Sequence, residues 1–128
     1  MVLWIERRRI VSIVMFILLA IQIFWVSSLP GVKGQSEIPF LAVAYHFCAF
    51  FLFGFFIFFS IKGEKKTKFS YIAIALFLSL LYAFSDEFHQ SFVPMRDASL
   101  NDVFTDFIGM GVSIFLANFM SKKSNPAL

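Results

Sequence analysis

Residues 40–61, FLAVAYHFCAFFLFGFFIFFSI, form an apolar run with no Asp, Glu, Lys or Arg. A helix crossing the hydrocarbon core of a bilayer needs roughly 20 such residues at about 1.5 Å each. This run satisfies the requirement alone and predicts a membrane span. Composition agrees, because of 128 residues 59% are hydrophobic, 15% are charged and twenty are phenylalanine. A soluble domain of this length has too much surface for its volume to bury so much apolar area. In a membrane, lipid solvates those faces.

Three further apolar segments flank this run, from about Ile10 to Leu29, Phe69 to Phe84 and Val103 to Met120. The segment from Phe69 is too short to cross unless its helix continues through Asp86 to His89 or Gln90. The last segment likewise needs Asn101 and Asp102. The expected spans are therefore about 10–29, 40–61, 69–90 and 101–120. Short connections at 30–39, 62–68 and 91–100 predict an all-α fold, a single domain over 1–128 built as an antiparallel bundle of four transmembrane helices. Pro30-Gly31 ends the first helix and Pro39 suits the first turn of the second. Ser99 or Asn101 can cap the fourth, with Asp102 in its first turn, where the helix dipole favours an anion. Ser121 to Leu128 reads as a short polar tail.

Orientation follows from the basic residues. Arg7, Arg8, Arg9, Lys62, Lys65, Lys66, Lys68, Lys122 and Lys123 fall on one side, against Lys33 and Arg96 on the other. The positive-inside rule then predicts that both termini are cytoplasmic, and that the polar residues after Phe84 open to the outside. The net charge of +3 reflects this bias. No basic face accompanies it, so nucleic acid is not an expected partner. The first apolar run is too long for a signal peptide and lacks a small-x-small cleavage site, which predicts a retained helix. Cys48 is the single cysteine and excludes an internal disulfide or a Cys-based metal motif.

Ionisable groups within a membrane span are costly and mark functional sites. The run Ser85-Asp86-Glu87-Phe88-His89-Gln90 therefore stands out. Tyr82, Asp86, His89 and Gln90 share a helical stripe, while Glu87 points about 100° away from Asp86. Asp102, Asp106, Gly109 and Ser113 form a second stripe, and Gly109-x-x-x-Ser113-x-x-x-Ala117 is a small-residue seam for close helix approach. Asp106 lies roughly 6 Å deeper than Asp102 and needs a cation or donor to compensate it. Arg96 and His46 are the available partners, with Lys33 if the first loop folds over.

Several readings of these residues stay open. In a structural network, Arg96 pairs with one or two aspartates while Gln90 and Ser85 tie helices together. In a ligand site, His46, Asp86, Glu87, Gln90, Arg96, Asp102 and Asp106 line a polar pocket. In a metal site, His46, Asp86, His89 and Asp102 or Asp106 are suitable ligand types for zinc, manganese or magnesium, so a divalent cation is the candidate cofactor. In an enzyme, Asp86 or Glu87 acts as base and His89 as proton carrier, with Arg96 holding a phosphate. A proton- or ion-coupled carrier using Asp106 and Asp86 would require a homo-oligomer. The many phenylalanines, among them Phe47, Phe50, Phe51, Phe53, Phe55, Phe56, Phe58 and Phe59, are expected to serve lipid contact and packing.

The chain resembles the VanZ-like family of small membrane proteins. The resemblance rests on Ser27-Ser28-Leu29-Pro30-Gly31, on Tyr45-His46-Phe47, on Ser85 to Arg96 (SDEFHQSFVPMR) and on Asp102 to Gly109 (DVFTDFIG). Met95 stands where the family commonly has Gly, and Asp106 where Asn is frequent. The resemblance implies a multi-pass protein of the prokaryotic cytoplasmic membrane with an envelope role. The founding member is associated with low-level teicoplanin resistance, and no reaction is carried over with that association. The combined expectation is an outer-leaflet polar pocket that binds a membrane lipid headgroup or a lipid-linked envelope precursor. The alternatives are a hydrolase or transferase acting on such a substrate, or the carrier.

Overall fold

In lipid every backbone N–H and C=O must be satisfied within the protein, so apolar runs of this length resolve into helices. The computed structural model of the chain describes Trp4 and residues 9–31 and 39–124. Arg7, Arg8, Lys33 and residues 125–128 of the expected tail lie outside the described residues. Four helices follow one another: α1 (Arg9–Ser27), α2 (Pro39–Lys62), α3 (Phe69–Gln90) and α4 (Leu100–Ser124). All four are long and apolar enough to cross a membrane, and no strand occurs among the described residues. α2 opens on Pro39, where a missing N–H is harmless. Ser99 caps α4, its Oγ accepting the Asn101 N–H at 3.2 Å, and Asp102 occupies the first turn.

The short loops alone would make sequence neighbours the closest pairs. Instead α2 is the hub, and its most extensive contact is with α4, while α1 and α4 lie on opposite flanks and barely meet. The two central helices run parallel, Phe47 facing Gly109 and Gly54 facing Met110. Glycine makes this possible. A Cβ on Gly109 would stand 2.6 Å from the Phe47 carbonyl oxygen, and one on Gly54 would stand 2.9 Å from Met110 Cα. Ser113 and Ala117 continue the small seam of α4 and are fully buried.

Around that seam lies the core. Phe50, Phe53, Ile57, Phe58 and Phe59 of α2 pack with Met110 and Ile114 of α4, Ile23 of α1, and Ala75 and Ala83 of α3. Half of the phenylalanines singled out on α2 are therefore interior, while Phe47, Phe51, Phe55 and Phe56 are half-buried. The Phe53 ring stacks on Tyr82 at 4.9 Å, and the Tyr82 hydroxyl donates to the Ala20 carbonyl, linking α1, α2 and α3. Large apolar side chains such as Ile21, Trp25, Phe77, Phe104, Phe115 and Phe119 face outward, as lipid contact requires.

The bundle has two chemically distinct ends. Arg9 Nε donates to the Ser60 carbonyl at 2.6 Å, setting the start of α1 beside the end of α2. Among the described residues, every Lys and Arg except Arg96 lies at this basic end. The opposite end gathers the acids, where α1 and α3 finish and α2 and α4 begin.

Gly109→Ala should destabilise the bundle by about 1–3 kcal/mol, because the Phe47 backbone cannot yield as a flexible side chain would. Gly111→Ala meets nothing within 4 Å and should change little. Thermal unfolding of both variants in one detergent checks the contrast.

Candidate functional site

At the acidic end, the α2–α4 approach brings His46 against α4. Its Nδ1 shares a 3.0 Å hydrogen bond with Asp106 Oδ1, and its Nε2 lies 4.0 Å from Asp102 Oδ2. The spacing of Asp102 and Asp106 puts both carboxylates on the face that meets α2. Asp106 is fully buried and His46 is 5% exposed.

A second group comes from the last turn of α3. Gln90 Nε2 donates to Asp86 Oδ2 at 3.0 Å and lies 3.4 Å from Glu87 Oε1, clasping both acids of its own helix. Glu87 Oε2 accepts the Ser99 N–H at 2.7 Å, so this carboxylate sits against the N-terminus of α4, where the helix dipole favours an anion. The 100° between Asp86 and Glu87 suggests that only one can face inward. Both are buried, each 5% exposed, and Glu87 is covered where Ser99 at the start of α4 meets it. Ser85, by contrast, is exposed and bonds the Tyr82 carbonyl of its own helix, so it ties no helices together.

Two expected site residues turn toward α1 instead. The His89 ring stacks on Phe24 at 4.6 Å, and its Nε2 shares a 3.0 Å hydrogen bond with Ser28 Oγ. Arg96 donates from Nη2 to the Val26 carbonyl at 3.1 Å and from Nε to the Leu29 carbonyl at 3.2 Å, capping the end of α1 with a cation. Among the described residues no Lys or Arg forms an ion pair with Asp86, Glu87, Asp102 or Asp106. The aspartate pairing anticipated for Arg96 is thus replaced by helix capping. The backbone explains the position: Gly31 N–H donates to the Pro94 carbonyl at 3.1 Å, and a Cβ on Gly31 would overlap the Met95 carbonyl. Met95 has φ 60°, a left-handed conformation that glycine adopts more easily than a side-chain-bearing residue.

The acids therefore outnumber their donors. Asp86 Oδ1 and Asp106 Oδ2 are buried with no hydrogen-bond partner among the described residues. As a base, Asp86 has a free oxygen, whereas both oxygens of Glu87 accept hydrogen bonds. One ligand atom from each of His46, Glu87 and Asp106 falls within 4.8 Å of the others. The metal set expected from sequence was His46, Asp86, His89 and Asp102 or Asp106, and the structure brings in Glu87 while setting His89 beside α1. Sequence places Glu87 among the pocket-lining and candidate base residues but not in the metal set, because helical angle alone cannot show which arc a neighbouring loop covers. Its signal was its place one turn before a chain reversal. Further contacts with no sequence signature are Ser99 N–H to Glu87, Ser28 to His89 and Gln22 Nε2 to the Tyr45 hydroxyl at 3.1 Å.

Four apolar spans around a buried acidic cluster define a multi-pass membrane protein with a polar site at one end of its bundle. The family model VanZ/LLP1 matches residues 3–121, nearly the whole chain, and the protein belongs to this VanZ-like family. Neither a curated protein nor a solved structure matches the chain.

Arg96→Ala should lower stability by about 1.5–3 kcal/mol, since it removes two charge-assisted bonds to carbonyls at the end of α1. Met95→Gly should change it by less than about 1 kcal/mol, as relief of the left-handed strain is offset by a more flexible unfolded chain. Melting curves of both variants beside the parent protein test the pair.

Proposed function

We propose that this chain is an envelope protein of the prokaryotic cytoplasmic membrane whose acidic end opens to the outer leaflet and binds a lipid headgroup or a lipid-linked envelope component. The observation that carries the reading is the pair of partnerless oxygens, Asp86 Oδ1 and Asp106 Oδ2, in side chains at least 95% buried. A buried carboxylate without a compensating group costs several kcal/mol, so a polar ligand that supplies donors there binds with a built-in advantage. Hydroxyls and amines suit Asp86 and Asp102. Arg96 Nη1 takes no part in the two capping bonds and can donate to an anionic group of the same ligand. Both termini face the cytoplasm, in keeping with the basic end formed by Arg9, Lys62, Lys65, Lys66, Lys68, Lys122 and Lys123. Reduced susceptibility to teicoplanin is the phenotype that family membership proposes.

Native mass spectrometry of the gently solubilised protein tests the binding. The parent chain is expected to retain one class of membrane lipid or lipid-linked precursor, and Asp86→Asn to retain it at least about tenfold less, corresponding to the loss of a charge-assisted hydrogen bond. Identical lipid adducts in both would overturn the reading. Single cysteines at Lys66 and Ser91 in a Cys48→Ser background check orientation, with membrane-impermeant reagent expected to label intact cells at 91 and not at 66.

A further inference from the structure

We infer that His46, Glu87 and Asp106 form a binding site for one divalent transition-metal ion, with zinc or manganese as the fitting class. The inference rests on reading the acidic end as a ligand site, and it is independent of which lipid, if any, binds there.

Three observations converge. One ligand atom from each of the three side chains lies within 4.8 Å of the other two. An ion about 2.1 Å from each ligand sets neighbouring ligand atoms about 3–3.5 Å apart, so small rotations of Glu87 and Asp106 close the set. The 3.0 Å separation of His46 Nδ1 and Asp106 Oδ1 already has the length of such an edge. In the metal-free chain that contact is a hydrogen bond, and with an ion it joins two ligands of one centre.

The second observation is the partnerless Asp106 Oδ2, in a side chain with 0% exposure. It belongs to one of the three clustered side chains, so this carboxylate keeps acceptor capacity that an ion can use. The third is charge. Asp86, Glu87, Asp102 and Asp106 face one imidazole and, among the described residues, no Lys or Arg ion pair. A neutral His46 with ionised Glu87 and Asp106 balances a divalent cation charge for charge, in a setting where unmatched carboxylates are most costly.

Donor chemistry selects the ion. An imidazole nitrogen with two carboxylates suits zinc or manganese, whereas magnesium and calcium favour all-oxygen shells. Three protein ligands leave a fourth position open to water or to a ligand oxygen. Asp102, 4.0 Å from His46 Nε2, lies on the other side of the ring, where it can orient the imidazole by accepting from its second nitrogen. A bound ion lets an acidic cluster accept an anionic group, such as a headgroup phosphate.

The test uses the full chain in lipid nanodiscs, stripped with chelator, dialysed and titrated with Zn2+ or Mn2+. The expected result is one bound equivalent per chain by elemental analysis, with a raised melting temperature that Mg2+ does not reproduce. His46→Gln, Glu87→Gln and Asp106→Asn should each weaken binding by at least about tenfold, while Glu64→Gln in the basic-end loop binds as the parent does. No stoichiometric ion in the parent protein overturns the assignment without any variant needing to fold. Undiminished binding in all three ligand variants overturns it as well. Lipid retained by the stripped parent and lost in Asp86→Asn would leave the headgroup reading standing when the metal fails. Metal bound without retained lipid would do the reverse.

Discussion

Gly54 on α2 and Gly109 on α4 let these two parallel helices approach until the backbone of one meets the side chains of the other, and this contact holds His46 within 3.0 Å of Asp106. Lipid offers no hydrophobic force to push two apolar helices together, so close packing and interhelical hydrogen bonds must do so. The central pair supplies both, with a small-residue seam along its length and a buried polar bond at one end. α1 and α3 then pack on flanks already defined by α2.

The same approach creates the electrostatic tension of the acidic end. Asp106 is fully buried, Asp86 is buried as well, and Glu87 is covered by the chain returning at Ser99. Gln90, the Ser99 N–H and His46 satisfy part of their acceptor capacity. Two carboxylate oxygens remain over. Such a remainder within a tightly hydrogen-bonded cluster is costly to maintain, and it is the feature on which the proposed ligand site rests.

The nearest cation serves another purpose. Arg96 is held by the turn at Pro94 and Met95 against Gly31, and its guanidinium caps the carbonyls that end α1. His89 joins the same seam through Phe24 and Ser28. The Ser85–Arg96 motif thus divides between two tasks. Asp86, Glu87 and Gln90 build the acidic cluster, while His89 and Arg96 tie the end of α1 to the end of α3 and the 91–99 loop.

Local pattern carried much of this outcome. Apolar run length marked four spans, because a bilayer demands about 20 residues of any helix that crosses it, and the short third and fourth runs revealed that their polar ends belong to helix. The Gly109–Ser113–Ala117 spacing marked a close-packing face, and Ser99 marked a cap, since both depend on residues a few positions apart. Which helix fills that face was not legible: loop length favours sequence neighbours, yet α4 met α2. The inward turn of Glu87 and the diversion of Arg96 to carbonyls of α1 were equally hidden. Those facts depend on contacts between residues 12 to 70 positions apart, which helical periodicity does not encode. Chemistry of the site was written in the residue types, and its geometry came from the packing of one helix against another.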